Sequence, residues 1–255
     1  MNRLDIKIQI LPPQLIIKDF VKKDKRCDYE IYLRELINTS SYFLKKSNDN
    51  PYTAPLSEEN GQCDCLSPNY KLDFKLLLSE TMGQGQREFS TSITRLSDDA
   101  TAYGDPNIPS TSDKYMPINA TYLHVAFRTL GYERLCEIAN TEFKQRCFER
   151  DVHLILKDLR KPKNLLCMLP YEFSFDEDIS YDVGCSEIVK ALNADFINLI
   201  TYRRKHQPQF DTYIAFIFHK KIIILSSEGN IFTLIDEIEL TKSKTYQELA
   251  RYSDE

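Results

Sequence analysis

Residues 70–79, Tyr-Lys-Leu-Asp-Phe-Lys-Leu-Leu-Leu-Ser, constrain the fold of this chain more than any other stretch. Leu72, Phe74, Leu76 and Leu78 recur every second residue, the period of a strand with one buried face; a helix would scatter them around its circumference. Lys71, Asp73 and Lys75 therefore share the opposite face, which this pattern leaves outside the core. The run just before, Cys63-Asp64-Cys65-Leu66-Ser67, reads as a second short strand, and Ser67-Pro68-Asn69-Tyr70 has the composition of a turn. A hairpin closed by that turn pairs Leu66 with Lys71, Cys65 with Leu72 and Asp64 with Asp73. The two aspartates then face each other.

The remaining pattern alternates between strand and helix periods. Residues 4–11 are a half-buried strand stopped by Pro12-Pro13. Residues 28–46 read as one helix, with Asp28 as N-cap and Leu33, Leu36, Ile37, Ser40 and Leu44 at helical spacing. Residues 47–62 form a polar loop. Residues 83–117, rich in Ser, Thr, Asp and Pro, are expected to be the most mobile segment and to gate whatever site they follow. Residues 118–149 predict one or two helices broken near Gly131, and 151–159 with 164–170 a strand pair around Arg160-Lys161-Pro162-Lys163. Ser186–Lys205 form a helix with Ile188, Val189, Leu192, Phe196, Leu199 and Ile200 inward. Strands at 212–219, 221–226 and 231–239 and a short charged helix complete the chain. The expectation is a single α/β domain over residues 1–255, a central mixed sheet flanked by helices, with a core near 28–82 and the C-terminal strands extending the sheet.

Several function classes are excluded by what is missing. The sequence has no GxxxxGK(S/T) and no GxGxxG; Gly83 and Gly85 lack a third glycine, so a phosphate cradle that needs close backbone approach is not expected. GxSxG, HExxH and CxxC are absent too. Seven cysteines, an odd number, fit reduced thiols, and Cys63-Asp64-Cys65 has no second pair at finger spacing. No apolar run approaches the roughly 18 residues of a membrane span, and the N-terminus lacks a signal peptide's apolar region, so the chain reads as soluble and cytoplasmic. Net charge is −5. It is distributed in blocks, with residues 1–46 and 118–170 net basic and 47–117 and 171–255 net acidic, which leaves room for a local positive face.

The facing aspartates carry the chemistry. Like charges directly opposite on a hairpin repel, so a cation between them relieves a cost that the bare pair would carry. Lys75 supplies one positive charge, and a hard divalent cation, which accepts one or two carboxylates plus waters, would supply the rest. Such an ion would activate water and stabilise charge building on a phosphodiester. A plain exposed Lys–Asp rung, worth little, is the competing account.

A helix with a glutamate, a strand with an aspartate and a strand with Asp-x-Lys together resemble the PD-(D/E)xK nucleases, the restriction-endonuclease-like superfamily. The resemblance covers about residues 28–79. It implies a catalytic set of Glu30, Asp64, Asp73 and Lys75, with Asp64 and Asp73 binding Mg²⁺ or Mn²⁺, Lys75 assisting the attacking water and Glu30 completing the site. Glu30 lies in Asp28-Tyr29-Glu30-Ile31-Tyr32-Leu33, which resembles the helix opening of several members; Glu35 is the reserve. Cys63 stands where many members have proline, and aspartate replaces the commoner glutamate at 73. The resemblance implies DNA as substrate, action as the effector of a bacterial defence or restriction module, and a protein partner that restrains the activity. Gln84 and Gln86, after the active strand, would touch DNA or water. Lys71, on the Asp73 face, and Arg203, Arg204 and Lys205, closing the long helix, are the candidate nucleic-acid contacts, although cations there also complement the negative helix end. On the second reading the chain is a non-catalytic subunit that binds protein or nucleic acid. Because the polar face is taken as lying outside the core, Asp73→Ala is expected to spare the fold.

Overall fold

The computed structural model describes residues 5–11, 28–56, 62–77, 132–145 and 163–250. The strands are β1 (Ile6–Ile10), β2 (Cys65–Leu66), β3 (Lys71–Leu76), β4 (Asn164–Phe175), β5 (Thr212–Phe218), β6 (Lys221–Glu228) and β7 (Ile231–Glu239). The helices are α1 (Asp28–Ile37), α2 (Ser41–Lys46), α3 (Tyr132–Lys144), α4 (Tyr181–His206) and α5 (Lys244–Ala250), with a 3-10 turn at Leu240–Lys242. One sheet of seven strands runs β2-β3-β4-β5-β6-β7, and β1 joins it on β4. Strands β3, β4 and β5 are parallel; β2, β6, β7 and β1 are each antiparallel to their neighbours. The architecture is therefore α/β with a mixed sheet flanked by helices, as the alternating periods predict.

The organising strand is β4. Its residues Leu165–Tyr171 are buried without a break, a near-continuous apolar run of the kind that belongs to a strand covered on both faces. One edge of β4 serves two partners in succession: β3 pairs in parallel with Asn164–Met168, and β1 pairs antiparallel with Tyr171–Phe175. They meet at Pro170, which has no N–H to give, and the Leu11 amide donates to its carbonyl at 3.0 Å. On the other edge, the β5 register slips between Met168 and Glu172, so the proline sits at an irregularity, as proline inside a sheet does.

In-register partners share a face. Leu72, Phe74, Leu166 and Tyr213 thus point to one side, where α1 and α2 lie: the Tyr32 hydroxyl donates to the Met168 sulfur at 3.7 Å, and the Phe43 and Tyr213 rings meet edge-on at 5.0 Å. Asp73, Lys75, Leu165, Cys167 and Thr212 point to the other side, which α4 covers; Arg203 Nε donates to Thr212 Oγ1 at 2.8 Å. On α4, Ile188, Leu192, Phe196, Leu199 and Ile200 are buried as their spacing predicts, and Val189 is partly covered.

Four expectations need correction. The helix expected over 28–46 is two. Asn38 turns its side-chain amide onto the Tyr52 backbone, donating at 2.9 Å and accepting at 2.7 Å, and Ser40 caps α2 by accepting from the Phe43 amide. Short polar side chains that bond nearby backbone end a helix that apolar spacing alone would continue. Strand β4 runs past residue 170 to Phe175, and α4 begins at Tyr181 rather than Ser186. Residues 151–159, expected to pair with 164–170, lie outside the described residues; β4 pairs with β3 and β5. On the polar face of β3, Asp73 is not outside the core, being only 2% exposed, whereas Lys71 is exposed and Lys75 half-buried. The 83–117 loop, residues 118–131 and Leu78 lie outside the described residues. Among those described, no helix is long and apolar enough to cross a membrane.

Gly184, on the first turns of α4, faces the end of the sheet. A Cβ there would stand 2.7 Å from Phe218 Cζ, 2.9 Å from Ile179 Cδ1 and 3.1 Å from Phe175 Cε2. Gly184→Ala should therefore lower stability by about 1–3 kcal/mol through overpacking, even though alanine is the better helix former. Urea denaturation of both proteins checks this; an unchanged or higher midpoint for the variant would contradict the packing described.

Candidate active site

The hairpin forms in the register its turn implies: Cys65 pairs with Leu72 and Leu66 with Lys71. The Ser67 hydroxyl and amide close the turn on Tyr70, the hydroxyl both donating to the Tyr70 carbonyl at 2.9 Å and accepting from its amide at 3.0 Å. The expected pairing of Asp64 with Asp73 is not formed. The ladder stops at Cys65, and Asp64, in the bend before it, turns Oδ2 to accept the Phe74 amide at 2.7 Å. Its own carbonyl accepts from Arg34 Nη1 at 3.1 Å, which ties α1 to the outer edge of the hairpin.

Asp73 lies between two ammonium groups. Lys75 Nζ is 3.2 Å from Oδ2 and Lys163 Nζ is 3.0 Å from Oδ1. Lys163 makes a hydrogen bond; the Lys75 contact is an ion pair without hydrogen-bond geometry, so Oδ2 is a buried oxygen with no hydrogen bond among the described residues. The lysines shield the carboxylate unequally, with side chains 39% exposed for Lys75 and 16% for Lys163. Burial opposes the charge on Lys75, but Asp73 and then Asp64 outweigh it and hold its pKa above the ordinary value.

Asp64 records how crowded with negative charge this corner is. Burial first, then the Asp73 charge, push its carboxyl from 3.8 up to about 7; the Phe74 amide opposes the rise, Glu30 adds to it and Lys75 subtracts. Glu30 of α1 is thus close enough to be felt at the hairpin. Glu35 is not part of this group: it accepts from the Ser243 hydroxyl at 2.6 Å and from the Thr245 hydroxyl and amide at 2.8 and 3.1 Å, which fixes the start of α5. Those bonds outweigh burial and keep its pKa below the ordinary value.

Of the remaining candidates, Lys71 is exposed on the rim and Gln84 and Gln86 lie outside the described residues. Arg203 is not a surface contact, and this corrects the expectation from the Arg203-Arg204-Lys205 cluster. It is 2% exposed and gives Nη1 to Gln207 Oε1 and Nη2 to the carbonyls of Lys163 and, at 3.2 Å, Asp211. Arg204 is exposed and donates to Asn230 Oδ1; Lys205 is exposed.

The residue that sequence reasoning missed at this site is Lys163. The signal in the sequence was the basic run Arg160-Lys161-Pro162-Lys163, which offers a second phosphate contact but reads more readily as an exposed polar turn. What places Lys163 at Asp73 is the parallel pairing of β3 with β4, a contact across 90 residues. A connected network holds this end of the sheet together. Asn164 bridges the Lys71 carbonyl and the Asp211 amide, both at 2.9 Å, and Asp211 accepts from the Tyr70 and Tyr213 hydroxyls and from Lys46 at 2.6, 3.1 and 2.9 Å.

No family model matches the chain, no curated protein matches it, and no solved structure matches it.

Two outcomes follow for stability. Asp64 has a folded value above its ordinary one, so its contribution is complete below about pH 4 and is lost as pH rises through about 7. Asp64→Asn keeps an acceptor for the Phe74 amide but never ionises. In EDTA its melting temperature should exceed that of wild type near pH 8, and the gap should narrow as pH falls and close below about pH 4. A gap independent of pH would show that Asp64 does not carry this strain. Asp73→Ala should destabilise the fold, contrary to the expectation from the sequence, because it strands Lys163 and Lys75. The ~3–5 kcal/mol for breaking a buried pair is the upper bound, since both lysines retain some water. Denaturant midpoints of Asp73→Ala and of the isosteric Asp73→Asn measure the cost, and a midpoint for Asp73→Ala equal to wild type would contradict it.

Proposed function

We propose that this protein is a metal-dependent nuclease that hydrolyses phosphodiester bonds in DNA. The observation that carries the reading is Asp73, buried between Lys75 and Lys163, beside Asp64, whose carboxyl is raised by burial and then by the Asp73 charge. The chain order also supports it: α1 with its glutamate, Asp64 just before β2, and β3 with Asp73-x-Lys75 follow in the order that the PD-(D/E)xK resemblance implies.

The residues suit a hard cation. Asp73 Oδ2 is buried without a hydrogen bond, and burial and then the Asp73 charge raise the Asp64 carboxyl to about 7, so a positive neighbour would favour both carboxylates. Among the described residues no three His, Cys, Asp or Glu side chains are grouped to hold a metal, so an ion would rest on the two aspartates with water in its other positions, which Mg²⁺ accepts. Bound there, Mg²⁺ or Mn²⁺ would supply a water of lowered pKa and neutralise charge on the phosphate. Lys75 would orient the attacking water and offset negative charge on the phosphate oxygens. Water oxygen adds to phosphorus as the ester P–O bond breaks, leaving one end as a phosphate and the other as a hydroxyl. Glu30, on α1, would complete the acidic group.

One observation favours the alternative, a non-catalytic subunit that binds protein or nucleic acid: both oxygens of Asp73 already face a lysine, which is enough to neutralise it. Incubation with supercoiled plasmid and with short single-stranded oligonucleotides in Mg²⁺, Mn²⁺ or EDTA separates the two. Cleavage should require the metal, and Asp73→Asn and Lys75→Ala should each lower the rate by about 10²–10³, the usual cost of removing a preorganised charge-stabilising group. Absence of metal-dependent cleavage, or variants that cleave like wild type, would hand the chain to the binding-subunit reading.

A further inference from the structure

We propose that Lys163 is a phosphate-binding residue of this site, tied to Asp73 in the metal-free protein and released to a nucleic-acid phosphate when a divalent cation is bound. The proposal deepens the nuclease reading and rests on it. Three observations carry it.

The first is charge. Asp73 needs one cation for neutrality and has two, one from its own strand and one from the residue just before β4. A divalent ion on Asp64 and Asp73 would satisfy the carboxylate and weaken the hold of Lys163. Its other contact, the Gln62 carbonyl at 3.4 Å, is long and uncharged. A phosphate bound beside the metal would then be the nearest anion for the freed ammonium, and lysine binds phosphate as a mobile point charge.

The second is position. Lys163 precedes β4 by one residue and has the parity of Leu165, which pairs with Asp73, so it lies on the face of Asp73 and Lys75. With a side chain 16% exposed, it stands at the mouth of the site and not within the core.

The third is anchoring. Arg203, itself buried, donates to the Lys163 carbonyl while its other donors hold Thr212, Gln207 and the Asp211 carbonyl. The Leu165 amide, two residues on, is held by the Asp211 carbonyl at 3.0 Å. The backbone is fixed and the four-carbon stem is not, so the ammonium can change partner without any shift of the sheet. Arg203 is a positioning residue in this arrangement, acting only through Lys163.

The test is fluorescence anisotropy with fluorescein-labelled duplex and single-stranded oligonucleotides, in Ca²⁺, which occupies carboxylate sites but activates water poorly, and in EDTA. Lys163→Ala should bind about tenfold more weakly in Ca²⁺, with the salt dependence reduced by about one phosphate contact. In EDTA, where Lys163 is held by Asp73, it should lose no more than Lys45→Ala, which removes an exposed charge from α2 on the opposite face. Lys163→Arg should recover most of the Ca²⁺ affinity. If circular dichroism shows that Lys163→Ala is unfolded, Lys163→Met keeps the stem and takes its place. Equal losses in Ca²⁺ and EDTA, or wild-type affinity in both, would overturn the role of Lys163 while leaving the nuclease reading standing. If wild type binds neither probe in either condition, the nuclease reading fails and this inference fails with it.

Discussion

Strand β4 is apolar toward both faces and hydrogen-bonded along both edges, and the rest of the molecule is arranged to meet that demand. A strand buried on both sides needs a layer on each, supplied by α1 and α2 beneath and α4 above. Its length exceeds that of β3, so β1 is recruited to the same edge to pair with the remainder, and the join falls at Pro170, where one amide is missing in any case. The backbone polar groups of the centre are thereby paired within the sheet, which is the condition for burying them at all. Helix α4 follows from the same constraint: it links β4 to β5 in parallel, and a parallel link must cross a face of the sheet.

The polar group at Asp73 is a consequence of this arrangement. Asp73 is out of water on the second face of β3, and a carboxylate so placed persists only with cations and donors around it. The structure supplies them from two strands, one local and one distant in sequence. Asp64 is less well served, with one backbone amide against a neighbouring negative charge, and its carboxyl rises to about 7 as a result. An arrangement that left one acid satisfied and its neighbour strained would be a poor structural brace, because a buried pair that merely stabilised would gain more from apolar side chains. That contrast is the physical ground for reading the corner as a site. The Tyr70, Tyr213, Asp211 and Lys46 network a few residues away lacks such strain: its hydrogen bonds outweigh burial, and the carboxyl of Asp211 stays below its ordinary value.

Reading the sequence succeeded where the information was periodic and local. The hairpin register, including the pairing of Cys65 with Leu72, came from a four-residue turn and a two-residue period, and the buried stripe of α4 from a 3.6-residue one. It failed where a residue's role depended on what packs against it. Asn38 and Ser40 interrupt a helix that apolar spacing would have continued, because their side chains find Tyr52 and Phe43. Arg203 looked like a surface cation at a helix end and proved to be an internal strut. Lys163 looked like one charge in a polar turn.

What the sequence determined by itself is the face each strand residue takes, hence the common side of Asp73 and Lys75, because a pleated strand has a fixed period whatever surrounds it. It likewise determined the α/β class, since the two periods alternate along the chain. Only the tertiary structure decided which strand lies beside β3, that Asp73 is buried, and that Glu35 of α1 is tied to Ser243 and Thr245. Those outcomes depend on contacts between segments 90 or more residues apart, as in the bond from Lys163 to Asp73, and no local pattern encodes such a partner. The burial of Asp73 is set at that level, on a face that alternation alone had assigned to solvent.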